Sequence, residues 1–279
     1  MNTAIVIDTS REIPSKWYGL YNIFPVGYII EDSSGEKHIE QTQIQSVRTP
    51  DLVELVCADR KSKLLAPSIK DFVELYTYLS ENYDSIISLH SSNITPAVFE
   101  NALVAKKLVS EVIIDVIDSH TFGASSGIFI EELAKFIIEA RNINEIRKEA
   151  ISLNKHISSI ILSKNDQLDT IGLRKGSWYS VLTTSLRPYV LYQEIQGNWE
   201  TLKRGRNFNS FVNEIIKRIE IVNKAKEIKT AYITHHGVFS KNIKKIMKIV
   251  SNSNVVETNP SLVTHYLLGK NYLDFAFLC

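Results

Sequence analysis

"SIISLHSSNITP" at residues 85–96 decides the reading of this chain. A short β-branched apolar run stops at two serines, a small polar loop follows, and a proline stands where a helix can begin. Continuous apolar character without alternation marks a strand buried on both faces, as in a parallel sheet. Pro96 suits the first helical position, where a missing N–H costs nothing. Strand, hydroxyl-rich loop and helix together form the βα unit of an α/β fold.

The same unit recurs on either side. "AIVID" at 4–8 and "VIIDVID" at 112–118 read as further parallel strands, and "FPVGYIIED" at 24–32 as a weaker strand before an "SSG" turn at 33–35. Ser68 opens a helix with Asp71 at the third position, a capping-box pair, and Phe72, Leu75 and Leu79 form its apolar stripe. The helix after Thr95 turns Val98, Phe99, Ala102, Leu103 and Val109 to the sheet and Lys106 and Lys107 to water; another helix runs over 127–140. After a charged helix at 143–156 the pattern changes. Strands are expected at 158–163, 189–195, 230–236 and 275–279, helices at 209–225 and 240–251, and a hairpin through "QGN" at 196–198. The fold class is therefore α/β: a parallel α/β domain over residues 1–150 and a mixed α/β domain over 151–279, with no Gly, Ser or Pro-rich linker between them.

Composition narrows function by exclusion. The 279 residues are 44% hydrophobic and 23% charged, with 32 Lys plus Arg against 31 Asp plus Glu. That balance gives no electrostatic reason to expect nucleic acid, and the lysines of "KNIKKIMK" at 241–248 read as the solvated face of a helix. Cys57 and Cys279 have neither disulfide-framework nor metal spacing, which suits a reducing cytoplasm. The start lacks a secretory signal pattern, and no apolar run is long enough for an integral membrane segment. No G-x-G-x-x-G, Walker loop or nucleophile elbow occurs. His235, His236 and His265 are too dispersed for a metal site.

Three strands end alike: Asp8-Thr9-Ser10, His90-Ser91-Ser92 and Asp118-Ser119-His120. Ligands of open parallel sheets bind beyond the carboxyl ends of the strands. Hydroxyls there donate to an anion that a carboxylate would repel, and helix N-termini close behind favour negative charge. Capping is the commoner use of any one such hydroxyl, and Ser68, Thr95 and Ser10 stand where caps are expected. The coincidence of three strand ends points to an acidic head group.

Several segments in order resemble the DegV family: "IVIDTSREIP" at 5–14, "APSIKDFVELYTYLSENYDSIISLHSSNITPAVFENA" at 66–102, "VIDSHTFGASSG" at 116–127, "LRKGSWYS" at 173–180, "RPYVLYQEIQGNWETLKRGR" at 187–206 and "ETNPSLVTHYLLG" at 257–269. The resemblance implies a two-domain protein that binds a long-chain fatty acid in a tunnel between its domains and presents it to a separate fatty acid kinase. Such a protein is a carrier, with no catalytic residue, metal or cofactor of its own. Carried over residue by residue, the head-group positions are Leu64-Leu65-Ala66-Pro67-Ser68, Ser91-Ser92 and Thr264-His265. Ser68, Ser91, Ser92, Thr95, Ser119 and His265 are thus the candidate ligand contacts. The chain departs from the family where a Thr-Ser pair becomes Leu64-Leu65, where Gly-Gly-Arg becomes Gly176-Ser177-Trp178, and where a glycine-rich stretch becomes Tyr266-Leu267-Leu268-Gly269-Lys270. Two other readings follow: a regulatory or interaction protein that kept the fold without the carboxylate site, or an acyl- or phosphoryl-transfer enzyme at Asp8, Ser91 and Asp118.

Overall fold

A computed structural model describes residues 2–39, 50–59, 61–140, 142–164, 189–195, 198–236 and 240–279. Strands β1 (Thr3–Asp8), β2 (Ile23–Val26), β6 (Ser85–His90) and β7 (Ile113–Asp118) form a parallel sheet in the order β2-β1-β6-β7. Its two middle strands are buried at every residue, as their unbroken apolar runs require. Successive side chains go to opposite faces. Ala4, Val6 and Ile86 join one core cluster, and Ile5, Ile7, Ile87 and Leu89 join another. Helices α3 (Ile69–Ser80) and α4 (Pro96–Leu108) contribute Phe72, Tyr76, Val98 and Ala102 to the first; α1 (Lys16–Leu20), α5 (Gly123–Glu139) and α6 (Ile143–Asn154) contribute to the second.

The 24–32 segment is two strands rather than one. β2 stays in the parallel sheet, with Pro25 tolerated because β2 is an edge. Past Gly27 the chain leaves that sheet, and β3 (Ile29–Glu31) pairs antiparallel with β4 (Lys37–Ile39) and β5 (Lys63–Leu65) in a small separate sheet. Gly35, at φ +88°, makes the β3–β4 turn. This sheet and α2 (Pro50–Ala58) lie against α9 (Leu262–Leu268): Ile30, Val56 and Leu262 form a core that Leu64 and Tyr266 border.

The second large sheet runs β10-β9-β8-β13-β11-β12. Its strands are β8 (Ile157–Ser163), β9 (Tyr189–Ile195), β10 (Asn198–Gly205), β11 (Thr230–His236), β12 (Asn254–Thr258) and β13 (Tyr272–Leu278). Only the β11–β12 pair is parallel, and the β9–β10 hairpin carries a bulge between Thr201 and Lys203. Residues 196 and 197 of the expected turn, and all of 173–180 with Trp178, lie outside the described residues. Amphipathic α7 (Phe208–Lys226) and α8 (Ser240–Ile249) cover one face with Phe211, Ile215, Ile243 and Ile246. The other face meets α5, so Tyr232 and Ala276 share a core with the first sheet, as do Ile161, Tyr192 and Tyr272 with α3 and α4.

Helix α5 begins at Gly123, one turn earlier than its apolar pattern suggests, and lies buried between the two large sheets over most of its length. Gly127 is where it passes closest to its neighbours. A Cβ there would meet the Glu12 carbonyl oxygen at 2.6 Å and the Tyr232 ring. Overpacking of this kind costs about 1–3 kcal/mol, which outweighs the gain of about 1 kcal/mol that Ala has over Gly in a helix. Gly127→Ala is therefore expected to lower the melting temperature by several degrees. Gly19→Ala, with nothing within 4 Å of the added carbon, should leave it unchanged or slightly raised; equal shifts would refute the close packing of α5.

Candidate functional site

The carboxyl edge of the parallel sheet is lined by side chains that the period-two rule sorts. Asp8, Ser88 and His90 have the parity of Val6 and Ile86, so they point to the α3/α4 face. There they form one hydrogen-bonded chain. Tyr76 donates its hydroxyl to Ser88 Oγ (2.6 Å), Ser88 Oγ meets His90 Nε2 (2.7 Å), and His90 Nδ1 meets Asp8 Oδ2 (2.9 Å). Ser88, His90 and Asp8 are fully buried. Burial pushes the His90 imidazole below its ordinary pKa, and the Asp8 carboxylate offsets this only in part. A neutral ring with its proton on Nδ1 then donates to Asp8 and accepts from Ser88. Burial alone would raise the Asp8 carboxyl, but the Arg11 guanidinium, His90 and Ser10 together hold it down at about 2.

Arg11 extends the network to the third strand end. Its Nε lies 3.5 Å from Asp8 Oδ2, and its Nη1 donates to Ser119 Oγ (2.9 Å) and the Thr121 carbonyl (2.8 Å). Ser119 donates both its N–H (2.8 Å) and its hydroxyl (2.9 Å) to the carbonyl of His90. Asp118 receives the N–H groups of Ser92 (3.2 Å) and His120 (3.0 Å), the latter in the left-handed region at φ +52°. Both aspartates thus serve neighbouring donors, and a carboxylate held at about 2 is a poor general base at neutral pH.

The edge brings Ser91, Ser92 and Ser119 together. Ser91 is fully buried, and its Oγ meets no hydrogen-bond partner among the described residues. Ser92 is half-buried. Thr95 stands at the N-cap of α4 but makes no side-chain cap; its hydroxyl lies 3.3 Å from that of Tyr28. Ser10 is spent on Asp8 rather than on a helix start. Ser68 is exposed and completes the expected capping box with Asp71. His265 is buried on α9, its ring edge-on to His236 with centroids 4.8 Å apart. Leu267 and Leu268 of the same helix pack in the cluster that holds Ile94 of the Ser91 loop. Leu64 borders that cluster too.

A set of buried acids was not foreseen from the sequence. Glu12 Oε1 accepts from the Ser261 N–H (3.2 Å) and the Thr264 hydroxyl (2.5 Å), both at the start of α9. Asp274 accepts from the Ala124 N–H (2.8 Å) at the start of α5 and from Ser159 Oγ (2.9 Å). Glu194, on β9, lies 2.7 Å from Ser125 Oγ, which also lies 2.8 Å from the Phe122 carbonyl. One serine proton cannot serve both acceptors, so a protonated Glu194 supplies the second. A charged residue inside an apolar strand pattern, as in "YLDFAFLC", is the signal that marks Asp274. At the exposed β3–β4 turn, ligand atoms of Asp32, Glu36 and His38 lie within 4.8 Å of one another, but Asp32 there closes the turn through the N–H groups of Ser34 and Glu36.

Burial raises the Glu194 carboxyl to about 8, with the Asp274 charge adding to it. The folded state therefore holds a proton that the unfolded chain releases above about 4.5. Stability falls as pH climbs from there to about 8 and then levels off. Glu194→Gln keeps a donor toward Ser125 and cannot ionise. It is expected to raise the melting temperature at pH 8 by several degrees and to leave it nearly unchanged at pH 5; equal shifts at both values would contradict a protonated Glu194.

The family model described as "Uncharacterised protein, DegV family" matches residues 2–269. A DegV domain-containing protein of Staphylococcus aureus is 24% identical over 273 residues, covering 94% of each chain. Among solved structures, a fatty-acid-binding DegV family protein from Thermus thermophilus superposes with a TM-score of 0.81 at 18% identity over 100% of both chains. The Streptococcus pneumoniae fatty acid kinase B3 protein, loaded with linoleic acid, does so with a TM-score of 0.79 at 14% identity over 100% of this chain and 99% of its own. Their fold is the fold found here. With a match over nearly its whole length, the chain belongs to the DegV family.

Proposed function

We propose that the protein is a carrier for one long-chain fatty acid, whose carboxylate is received at Ser91 and whose tail lies in the apolar interior behind it. One observation carries this reading: the Ser91 hydroxyl is fully buried at the carboxyl edge of the parallel sheet and has no partner among the described residues. Buried hydroxyls are nearly always hydrogen-bonded, so such a group calls for a ligand acceptor. The N-terminus of α4, four residues on, adds favourable potential for an anion. Apolar residues close behind, among them Ile94, Val98, Phe122 and Leu267, suit an acyl chain.

The energetics are consistent. Burying about sixteen carbons at about 0.8 kcal/mol per methylene yields on the order of 10 kcal/mol. That must offset desolvation of the head group, which neutral donors reduce. Leu64 and Leu65 supply none where the family resemblance implies a Thr-Ser pair, so Ser91 bears more of the task here. In this reading residues 1–150 bring the head-group loops and 151–279 cover the tail. The likeness to the fatty-acid-binding Thermus protein and to the Streptococcus fatty acid kinase B3 protein supports the ligand class and a separate kinase as the catalyst. The free thiols of Cys57 and Cys279 suit a cytoplasmic setting, and no described helix is long and apolar enough to cross a membrane.

Mass spectrometry of an organic extract of protein purified from cells should find a long-chain fatty acid near one per chain. Ser91→Ala should weaken binding of a fluorescent fatty acid about tenfold or more, the loss of a hydrogen bond to a charged group. Absence of lipid together with unchanged affinity in the variant would overturn the proposal.

A further inference from the structure

The peptides on both sides of Ser91 are tied, while its hydroxyl meets no partner among the described residues. The preceding carbonyl, that of His90, takes two donors from Ser119 at 2.8 and 2.9 Å. The carbonyl of Ser91 itself accepts the Ile94 N–H at 3.3 Å. Because the peptide unit is planar, holding the His90 carbonyl and the His90 side chain fixes the nitrogen and α-carbon of Ser91. The His90 side chain is held at both ring nitrogens, by Asp8 at 2.9 Å and Ser88 at 2.7 Å. Tyr76 anchors Ser88, Phe72 closes edge-on over the imidazole at 5.0 Å, and Arg11 returns from Asp8 to Ser119. The result is a closed ring of bonds around the residue just before Ser91.

Packing does not require this ring. Below the strand ends the α3/α4 face of the sheet is apolar, with Ala4, Val6, Ile86 and Val116. Hydrophobic residues of similar volume at Ser88, His90 and Asp8 would spare the desolvation of a carboxylate and an imidazole, and such replacements are often neutral or stabilising. What the polar set supplies is a fixed direction.

We propose that His90, clamped between Asp8 and Ser88, is a positioning residue that aims the Ser91 hydroxyl at the head group of the bound ligand. The role rests on the fatty-acid reading of Ser91 and makes the site selective for a free acid over its ester. His90 does not itself touch the ligand. It sets the peptide from which Ser91 projects, and the acid form of the ligand, able to accept a strong charge-assisted bond, gains most from that alignment.

The test uses the full-length chain stripped of lipid, with displacement of a fluorescent fatty acid by palmitic acid and by methyl palmitate. In wild type the acid should displace at least tenfold better than the ester. His90→Phe, which keeps the ring volume and drops both bonds, should lose about tenfold for the acid and little for the ester. His90→Asn, whose amide still reaches toward Asp8, should recover most of the acid affinity. His90→Phe added to Ser91→Ala should cost nothing beyond Ser91→Ala alone, as expected for two residues acting through one contact. Should His90→Phe not fold, Ser88→Ala frees the same ring nitrogen and is expected to shift the acid-to-ester ratio in the same direction. An unchanged ratio in these variants, equal losses for acid and ester, or additive losses with Ser91→Ala would overturn the positioning role. A wild-type protein that takes up neither palmitic acid nor the ester would instead overturn the fatty-acid reading, and the positioning role with it.

Discussion

The ionised Asp8, buried against Arg11 and His90, is the constraint on which the carboxyl edge depends. A carboxylate with no solvent contact persists only when cations and hydrogen-bond donors surround it. Asp8 meets that demand with Ser10 and Arg11 from its own strand end and His90 from the end of β6, and Arg11 reaches on to Ser119 and Thr121 beyond the end of β7. Satisfying one charge therefore sets three loops. The loop that begins at Ser91 is positioned by the same bonds, which is why its hydroxyl, without a partner among the described residues, has a defined direction.

The same logic works on the other side of Arg11 and Glu12. Helix α5 lies between two sheets and needs acceptors for the orphan N–H groups of its first turn. Asp274 from the middle of the second sheet serves Ala124, and Glu194 meets Ser125. Glu12 serves the start of α9 in the same way. These acids join the two halves of the chain through helix N-termini, where partial positive charge lessens their desolvation cost. Their crowding is also why burial, with neighbouring charge, lifts Asp274 and Glu194 out of the usual carboxylate range. Gly123 and Gly127 allow the approach, since a side chain at either would strike Asp274 or Tyr232.

Most of the architecture was legible because burial on both faces leaves a plain mark. β1, β6 and β7 read directly from their apolar runs, and α3 and α4 from Ser68, Asp71 and Pro96. In the small sheet β3 was read only as the end of one 24–32 strand, and β4 and β5 were not legible: each is three residues long, with exposed or half-buried positions and too little pattern to register. β12 is half-exposed at an edge and equally faint. Within the site, the hydroxyls were legible as strand-end residues, but which of them are already spent was not. Ser68 and Ser10 bond to Asp71 and Asp8, and Thr95 turns to Tyr28 instead of capping α4. The partnership of His90 with Asp8 spans 82 residues and follows from the β1–β6 register, which no local pattern encodes.

Leu64 and Leu65, where the family resemblance implies a Thr-Ser pair, lie on β5 of the small sheet, outside this centre. Leu64 packs against Ile30, Val56 and Leu262 together with Tyr266, whose hydroxyl reaches the Ser62 carbonyl at 3.1 Å, so Leu64 joins the contact between the small sheet and α9. The ring through Asp8, His90 and Ser119 is complete without them. Carbon-13 NMR of palmitic acid labelled at its carboxyl carbon and bound to the protein tests the central claim most directly. The account predicts that the carboxyl resonance of the complex shifts on Ser91→Ala, while the terminal methyl resonance of a chain labelled at that end stays in place. A carboxyl resonance identical in wild type and variant would show that the head group lies elsewhere.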